Sequence, residues 1–233
     1  MIDALDSINL NFEVSFANVF KKPELIQPFL TKRAKKFDEI IKKEFLRRKL
    51  ETDFAIVALG GYGRKELFPS SDIDLSIIQF NAKTKKIEDI KDFIRWLWTL
   101  KVKVGHSVRT IKDIENITKS DLKEFTSYLS YRIIFCKKDK IVSLNDDLKK
   151  ISKKWNKTNF FKAKQIEQNK RFQSFDSTEF SLEPDLKESP GCLRDFQTAF
   201  WILEHCFEIK KLQDCVTAKM FSKKEIASIN ESY

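Results

Sequence analysis

Glycine is scarce in this chain, with five in 233 residues, and proline is no commoner at five. No low-complexity linker and no internal repeat is evident. There are only two histidines, and the four cysteines, Cys136, Cys192, Cys206 and Cys215, show no Cys-x-x-Cys spacing. A zinc site is therefore not expected, and reduced cysteines in a cytoplasmic protein are the simpler account. No apolar run approaches the ~18 residues of a membrane span, and the N-terminus lacks the basic and apolar regions of a signal peptide. Zinc-finger spacing, RNA-recognition aromatics and basic-region heptads are missing as well.

What is abundant is lysine. Lysine and arginine total 44 against 34 acidic residues, a formal charge of +10. Such a balance suits a polyanion, but much of the excess lies in residues 137–171, which read as a solvated helical stretch. Plentiful Ile, Phe and Asn with little Gly favour a lysine-rich codon bias over a dedicated nucleic-acid surface. At 233 residues the chain is long enough to bury a real core.

Three of the five glycines fall together in Gly60-Gly61-Tyr62-Gly63. The preceding run, Phe54-Ala55-Ile56-Val57-Ala58-Leu59, is short, apolar and β-branched, so it reads as a buried strand ending where glycine permits a sharp turn. Backbone amides at such a turn can face a phosphate. Shortly after comes Asp72-Ile73-Asp74-Leu75-Ser76-Ile77-Ile78. As a strand it alternates, so Asp72 and Asp74 share one face, about 7 Å apart, while Ile73 and Leu75 enter the core. Two carboxylates so close resist joint burial unless neutralised, and a divalent cation shared with a triphosphate does that. Neither the glycine turn nor Asp-x-Asp is specific alone; their order and spacing are. The pattern is not a Walker loop, since no Gly-Lys-Ser/Thr follows, and not a Rossmann fingerprint, since the third glycine is absent.

The stretch from Gly60 through Arg64, Ser71, Asp72 and Asp74 to Leu75 resembles the signature of the DNA polymerase beta-like nucleotidyltransferases. Within them it is most similar to the bacterial bifunctional uridylyltransferase/uridylyl-removing enzymes that modify the nitrogen-regulatory protein PII. Two further blocks carry the narrower resemblance: Val104-Gly105-His106-Ser107-Val108-Arg109, and Leu182-Glu183-Pro184 with Lys187-Glu188-Ser189-Pro190-Gly191-Cys192-Leu193-Arg194-Asp195. Lys65, Ser189 and Cys192 stand where the family usually has glycine. Wherever the lost glycine needed positive φ, the loop is expected to be strained or rearranged. The family continues into HD hydrolase and ACT domains, for which the residues after 202 leave no room, so the transferase half alone is expected.

The resemblance implies an α/β fold: a polymerase beta-like nucleotidyltransferase sheet flanked by helices, with an N-terminal helix and a C-terminal helical extension. The expected organisation is an N-terminal helical segment over 1–50, a catalytic domain over 51–135 and a helical extension over 136–233. In detail we expect helix over 24–49, strand 54–59, a short helix near 63–68, strand 73–79, helix 86–100 and strand 102–109. Helices should follow near 111–117, 119–135, 144–153, 157–174 and 191–209, with a long loop over 175–190. Trp96, Trp98 and Trp201 sit at apolar-face spacing and read as core.

The activity implied is Mg²⁺-dependent transfer of UMP from UTP to a PII tyrosine, with Asp72 and Asp74 as catalytic metal ligands. Gly60, Gly61, Gly63 and Ser71 are expected at the triphosphate. Arg64 is read either as a phosphate contact or as a surface ion pair, and Arg109 as a phosphate or base contact. The strand 102–109 has no acid to supply a third carboxylate. His106 there orients the acceptor or is a satisfied core histidine, and Asp121 either supplies the missing charge or, the favoured reading, is a helix cap. Lys187, Arg194 and Asp195 are assigned to the nucleotide, with an ion-paired helix start as the alternative. An RNA or small-molecule acceptor, and an inactive nucleotide-binding fragment, stay open as alternative functions.

Overall fold

The structure is a computed structural model, and it describes residue 19, residues 21–81, 83–176 and 185–232. Its contacts divide the chain into two units, one ending at Ile151 and the other beginning at Ser152.

The first unit is built on a four-stranded sheet of order β3-β2-β1-β4. Strand β1 (Phe54–Ala58) is buried along its whole length, as a continuous apolar run demands. It pairs antiparallel with β2 (Ile73–Gln79), which pairs in parallel with β3 (Val104–Arg109). One face carries helix α1 (Pro23–Arg47) and helix α3 (Ile87–Leu97). There Phe37, Ile41 and Phe45, at helical spacing, meet Phe93, Leu97, Ile56, Leu75 and Ile77 in one core. The opposite face sets Ala55, Val57 and Ile78 against Ile114, Tyr128, Leu144, Leu148 and Ile151. These come from helices α4 (Ile111–Ser120), α5 (Leu122–Leu129) and α6 (Ile141–Ser152). The α/β sheet flanked by helices is therefore as expected.

Three local expectations are corrected. Helix does not run through 119–135: Asp121 accepts hydrogen bonds from the Lys123 and Glu124 amides and caps α5, which stops at Leu129. Arg132–Phe135 is instead strand β4, paired antiparallel with β1 across an irregularity at Ile56/Val57. Its β-branched Ile133-Ile134 fits a sheet edge better than a helix end. The short helix, α2, spans Gly60–Arg64 rather than 63–68, because Lys65 adopts a left-handed conformation that ends it. Trp98 is 61% exposed, not core; it falls in a 3-10 turn, Trp98–Leu100, that breaks the helical phase of Trp96.

Lys65 has φ 64°, whereas Cys192 has φ −94° and Ser189 is not among the positive-φ residues. Of the three replaced glycines, only Lys65 bears the strain. Lys49, Lys101, Glu208 and Lys219 share its left-handed conformation, each just after a helical segment. Lys65→Gly is expected to stabilise the protein by about 1 kcal/mol, measured by urea unfolding. A stability equal to or below that of the parent would contradict this.

In the second unit, α7 (Lys157–Asp176) packs against α8 (Leu193–Phe207), followed by α9 (Leu212–Thr217) and α10 (Lys223–Ser232). The last two were not anticipated. Trp201 is buried as expected, with the Lys164 ammonium 4.5 Å from its ring centroid. Burial pulls Lys164 below the ordinary lysine range against the opposing pull of its partner Glu167. Leu182, Glu183 and Pro184 lie outside the described residues. No helix among the described residues is long and apolar enough to cross a membrane.

Candidate active site

Where β1 ends, the Leu59 amide donates to the Asp74 carbonyl at 3.0 Å, and the chain turns through Gly60 with φ 54°. Asp72 and Asp74 are exposed while Ile73 and Leu75 are buried, the alternation expected of a half-covered strand. Asp74 lies opposite Gly105 in the β2–β3 register. A β-carbon added at Gly105 would sit 2.6 Å from one Asp74 carboxylate oxygen, and one at Gly60 would sit 3.4 Å from the other. Absent side chains on both flanks thus make the space that the Asp74 carboxylate occupies. Gly61 is open, its nearest neighbour being the Glu66 carbonyl at 3.5 Å. Gly63 serves packing: a β-carbon there would lie 1.9 Å from the Ser130 carbonyl oxygen.

Asp72 has a partner that the motif did not suggest, Lys103, whose ammonium lies 3.4 Å from its carboxylate. The Lys103 carbonyl accepts from the Ile73 amide at 2.8 Å, fixing that residue beside the strand's start. Arg64 is half-buried; its Nε donates to Glu66 at 2.7 Å, and its guanidinium reaches the Ser130 hydroxyl at 3.5 Å. Ser71 is half-buried next to Asp72, its amide held by the Phe68 carbonyl at 2.9 Å.

His106 and Arg109 are not brought to the carboxylates. His106 pairs in register with Leu75, so its side chain leaves the opposite face of the sheet from Asp74 and meets Trp98 edge-on, ring centroids 5.6 Å apart. Arg109 shares the Asp74 face but follows Gly105 by four residues, about 13 Å along the strand. Its guanidinium holds Glu124 through two bonds of 2.7 and 3.0 Å, which raise its pKa further above the ordinary arginine range.

Lys187, Arg194 and Asp195 belong to the second unit. Asp185 accepts from the Lys187 and Glu188 amides at 2.8 and 2.9 Å, forming a tight turn with Lys187 exposed on it. Arg194 binds Glu188 at 2.7 Å and Gln197 at 2.9 Å. Asp195, in the first turn of α8, accepts from the Gly191 amide at 2.7 Å, Gln168 at 3.0 Å and Arg171 of α7. Burial alone would raise the Asp195 carboxyl; those hydrogen bonds outweigh it and hold the group below its ordinary range. Arg194 and Asp195 thus pin the loop before α8, matching the ion-paired helix start weighed from sequence.

Asp72 and Asp74 offer hard oxygen donors, and no cluster of three or more His, Cys, Asp or Glu suited to a metal occurs among the described residues. Two exposed carboxylates with cleared space around one fit magnesium, which binds through one or two carboxylates and keeps its remaining positions for water and phosphate oxygens. They do not fit a closed all-protein cage.

A family model described as GlnD PII-uridylyltransferase matches residues 159–233. A bifunctional uridylyltransferase/uridylyl-removing enzyme of Haemophilus influenzae (strain PittEE) is 36% identical over 179 residues, 76% of this chain and 21% of that protein. The enzyme of the same name from Hydrogenovibrio crunogenus is 35% identical over 217 residues, 92% of this chain and 24% of the relative. That of Pseudoalteromonas translucida is 33% identical over 232 residues, 98% of this chain and 26% of the relative. With a glycine turn and paired carboxylates in place on an α/β sheet, and this likeness running almost end to end, the chain belongs to the family of bifunctional uridylyltransferase/uridylyl-removing enzymes, about a quarter of whose length it spans.

Proposed function

We propose that this chain performs the nucleotidyl-transfer chemistry of its family: transfer of UMP from UTP to a tyrosine of a PII-type regulatory protein, in the cytoplasm. The observation that carries the reading is the Asp74 carboxylate, exposed beside Asp72 in space left by Gly60 and Gly105. The tyrosine hydroxyl gives up its proton to solvent, its oxygen attacks the α-phosphorus in line, a new P–O bond forms, the bond from the α-phosphorus to the α–β bridging oxygen breaks, and pyrophosphate leaves. Asp72 and Asp74 would hold magnesium, which when bound would neutralise phosphate charge and align the reacting groups. Gly60 and Gly61 let main chain approach the triphosphate, and Ser71 offers a hydroxyl beside Asp72. The exposed Lys103–Asp72 pair is worth about 1 kcal/mol at most, so its ammonium is readily given up to a phosphate.

The test is transfer of label from α-labelled UTP, with magnesium, to purified PII protein, beside ATP and beside an RNA acceptor. UTP-dependent labelling of PII is expected. Labelling of RNA alone, or none from a folded protein, would refute the reading. Gly105→Ala probes the geometry: its methyl group meets side-chain atoms of Asp74 and no main-chain atom, so the Asp74 carboxylate shifts while the fold persists. We expect transfer to fall about a hundredfold with little change in melting temperature. Unchanged transfer would show that the position of Asp74 does not matter.

A further inference from the structure

Helix α1 precedes the strand–turn–strand motif in sequence, yet two of its charged side chains reach the loop that carries the site. Arg33 is 1% exposed. Its Nη1 donates to the Leu67 carbonyl at 3.0 Å and to the Phe68 carbonyl, and its Nη2 to the Pro69 carbonyl at 2.9 Å. Its Cζ lies 5.4 Å from the Phe37 ring centroid. Removing a guanidinium from water is costly unless its donors are matched. Here three consecutive carbonyls converge on one fork, which a point-like ammonium cannot serve equally. Those carbonyls belong to the segment leading from α2 into Asp72.

Five residues further along α1, Asp38 accepts from the Tyr62 hydroxyl at 2.6 Å and from Arg132 of β4 at 2.6 and 3.2 Å. Arg132 in turn donates to the Tyr62 and Gly63 carbonyls at 3.1 and 3.2 Å. Burial first, and then the Asp38 charge, push the Tyr62 phenol well above its ordinary range, so it stays a hydrogen-bond donor. The helix thus grips both chain segments that bound the site, α2 through Asp38 and residues 67–69 through Arg33.

We propose that Arg33 and Asp38 are positioning residues that fix the glycine turn relative to the approach to Asp72, so that both face one bound triphosphate. Its catalytic consequence rests on the nucleotidyl-transfer reading above; the anchoring itself rests on geometry alone. An apolar residue at position 33 would cover the same core surface but would leave three carbonyls of the site loop without their shared donor.

The test uses the full 233-residue chain with Arg33→Lys and Tyr62→Phe, read by hydrogen exchange of residues 66–72 and 60–66 against β1 as internal reference. UTP KM and kcat are measured separately. In Arg33→Lys, exchange over 66–72 is expected to rise about tenfold, the equivalent of one charge-assisted bond, while β1 keeps its protection. KM for UTP should rise more than kcat falls. In Tyr62→Phe the faster exchange should move to 60–66. Unchanged exchange over 66–72, or equal acceleration in β1, would overturn the proposal by reducing Arg33 to a general stabiliser. If Arg33→Lys does not fold, Tyr62→Phe decides by the same comparison. A wild-type protein that neither binds nor transfers UTP would sink the nucleotidyl-transfer reading, while exchange would still decide the anchoring.

Discussion

Asp74→Asn is expected to lower nucleotidyl transfer by about a thousandfold and to leave the melting temperature nearly unchanged. The substitution keeps the size of the side chain and removes its charge. Asp74 is exposed, and exposed substitutions generally alter stability by no more than about 0.5 kcal/mol. The catalytic loss is large because a neutral amide neither holds a divalent cation well nor offsets the charge that moves between phosphate oxygens. Asp72→Asn should be damaging too, and it also releases Lys103. The measurement is single-turnover transfer from labelled UTP with matched thermal melts. Retention of more than about a tenth of wild-type transfer would remove Asp74 from the chemistry.

The largest expected effect on stability lies one turn of α2 away. Gly63→Ala would place a methyl group 1.9 Å from the Ser130 carbonyl oxygen and 3.1 Å from that of Ala58. Both are main-chain atoms, so no rotamer change relieves the clash. Ala58 closes β1, and Ser130 lies in the short link between α5 and β4, so the methyl would push β4 away from β1 or α2 off the sheet. We expect a loss of about 3 kcal/mol, or a fall of roughly 6–12 °C in melting temperature for a chain of this size. A melting temperature within about 2 °C of wild type would show that the turn can shift at no cost. The contrast with Gly105→Ala is informative, because there the contact is with a side-chain oxygen and not with main chain. Two glycines near one site thus separate activity from stability.

The strand–turn–strand core of the site was legible because its signals are local. Unbroken apolar character marked β1, clustered glycines marked the turn, and strict alternation placed Asp72 and Asp74 on one face. Strand β4 was not legible, since Arg132–Phe135 follows a helix without a glycine or proline between them, and its identity depends on pairing with β1, far upstream. Arg33 and Asp38 were hidden for a related reason. Charged residues on an amphipathic helix read as its solvent side, and only the fold reveals that the site loop lies over them. Gly105 was visible within its block, but its purpose depends on Asp74 in the neighbouring strand. His106 and Arg109 were drawn toward the site by the same block, and strand alternation and distance separate them from it.

Among the described residues, five that are not glycine are left-handed, Lys49, Lys65, Lys101, Glu208 and Lys219, and they connect the chain's composition with its heat tolerance. Most helix ends that turn this way use glycine, and a side chain in its place costs about 1 kcal/mol. Together these positions hold on the order of 5 kcal/mol, comparable to the whole net stability of a marginal domain. Side chains at such helix ends would therefore register first as a lower working temperature. Placing glycine at those positions would give a more robust protein for structural and kinetic work.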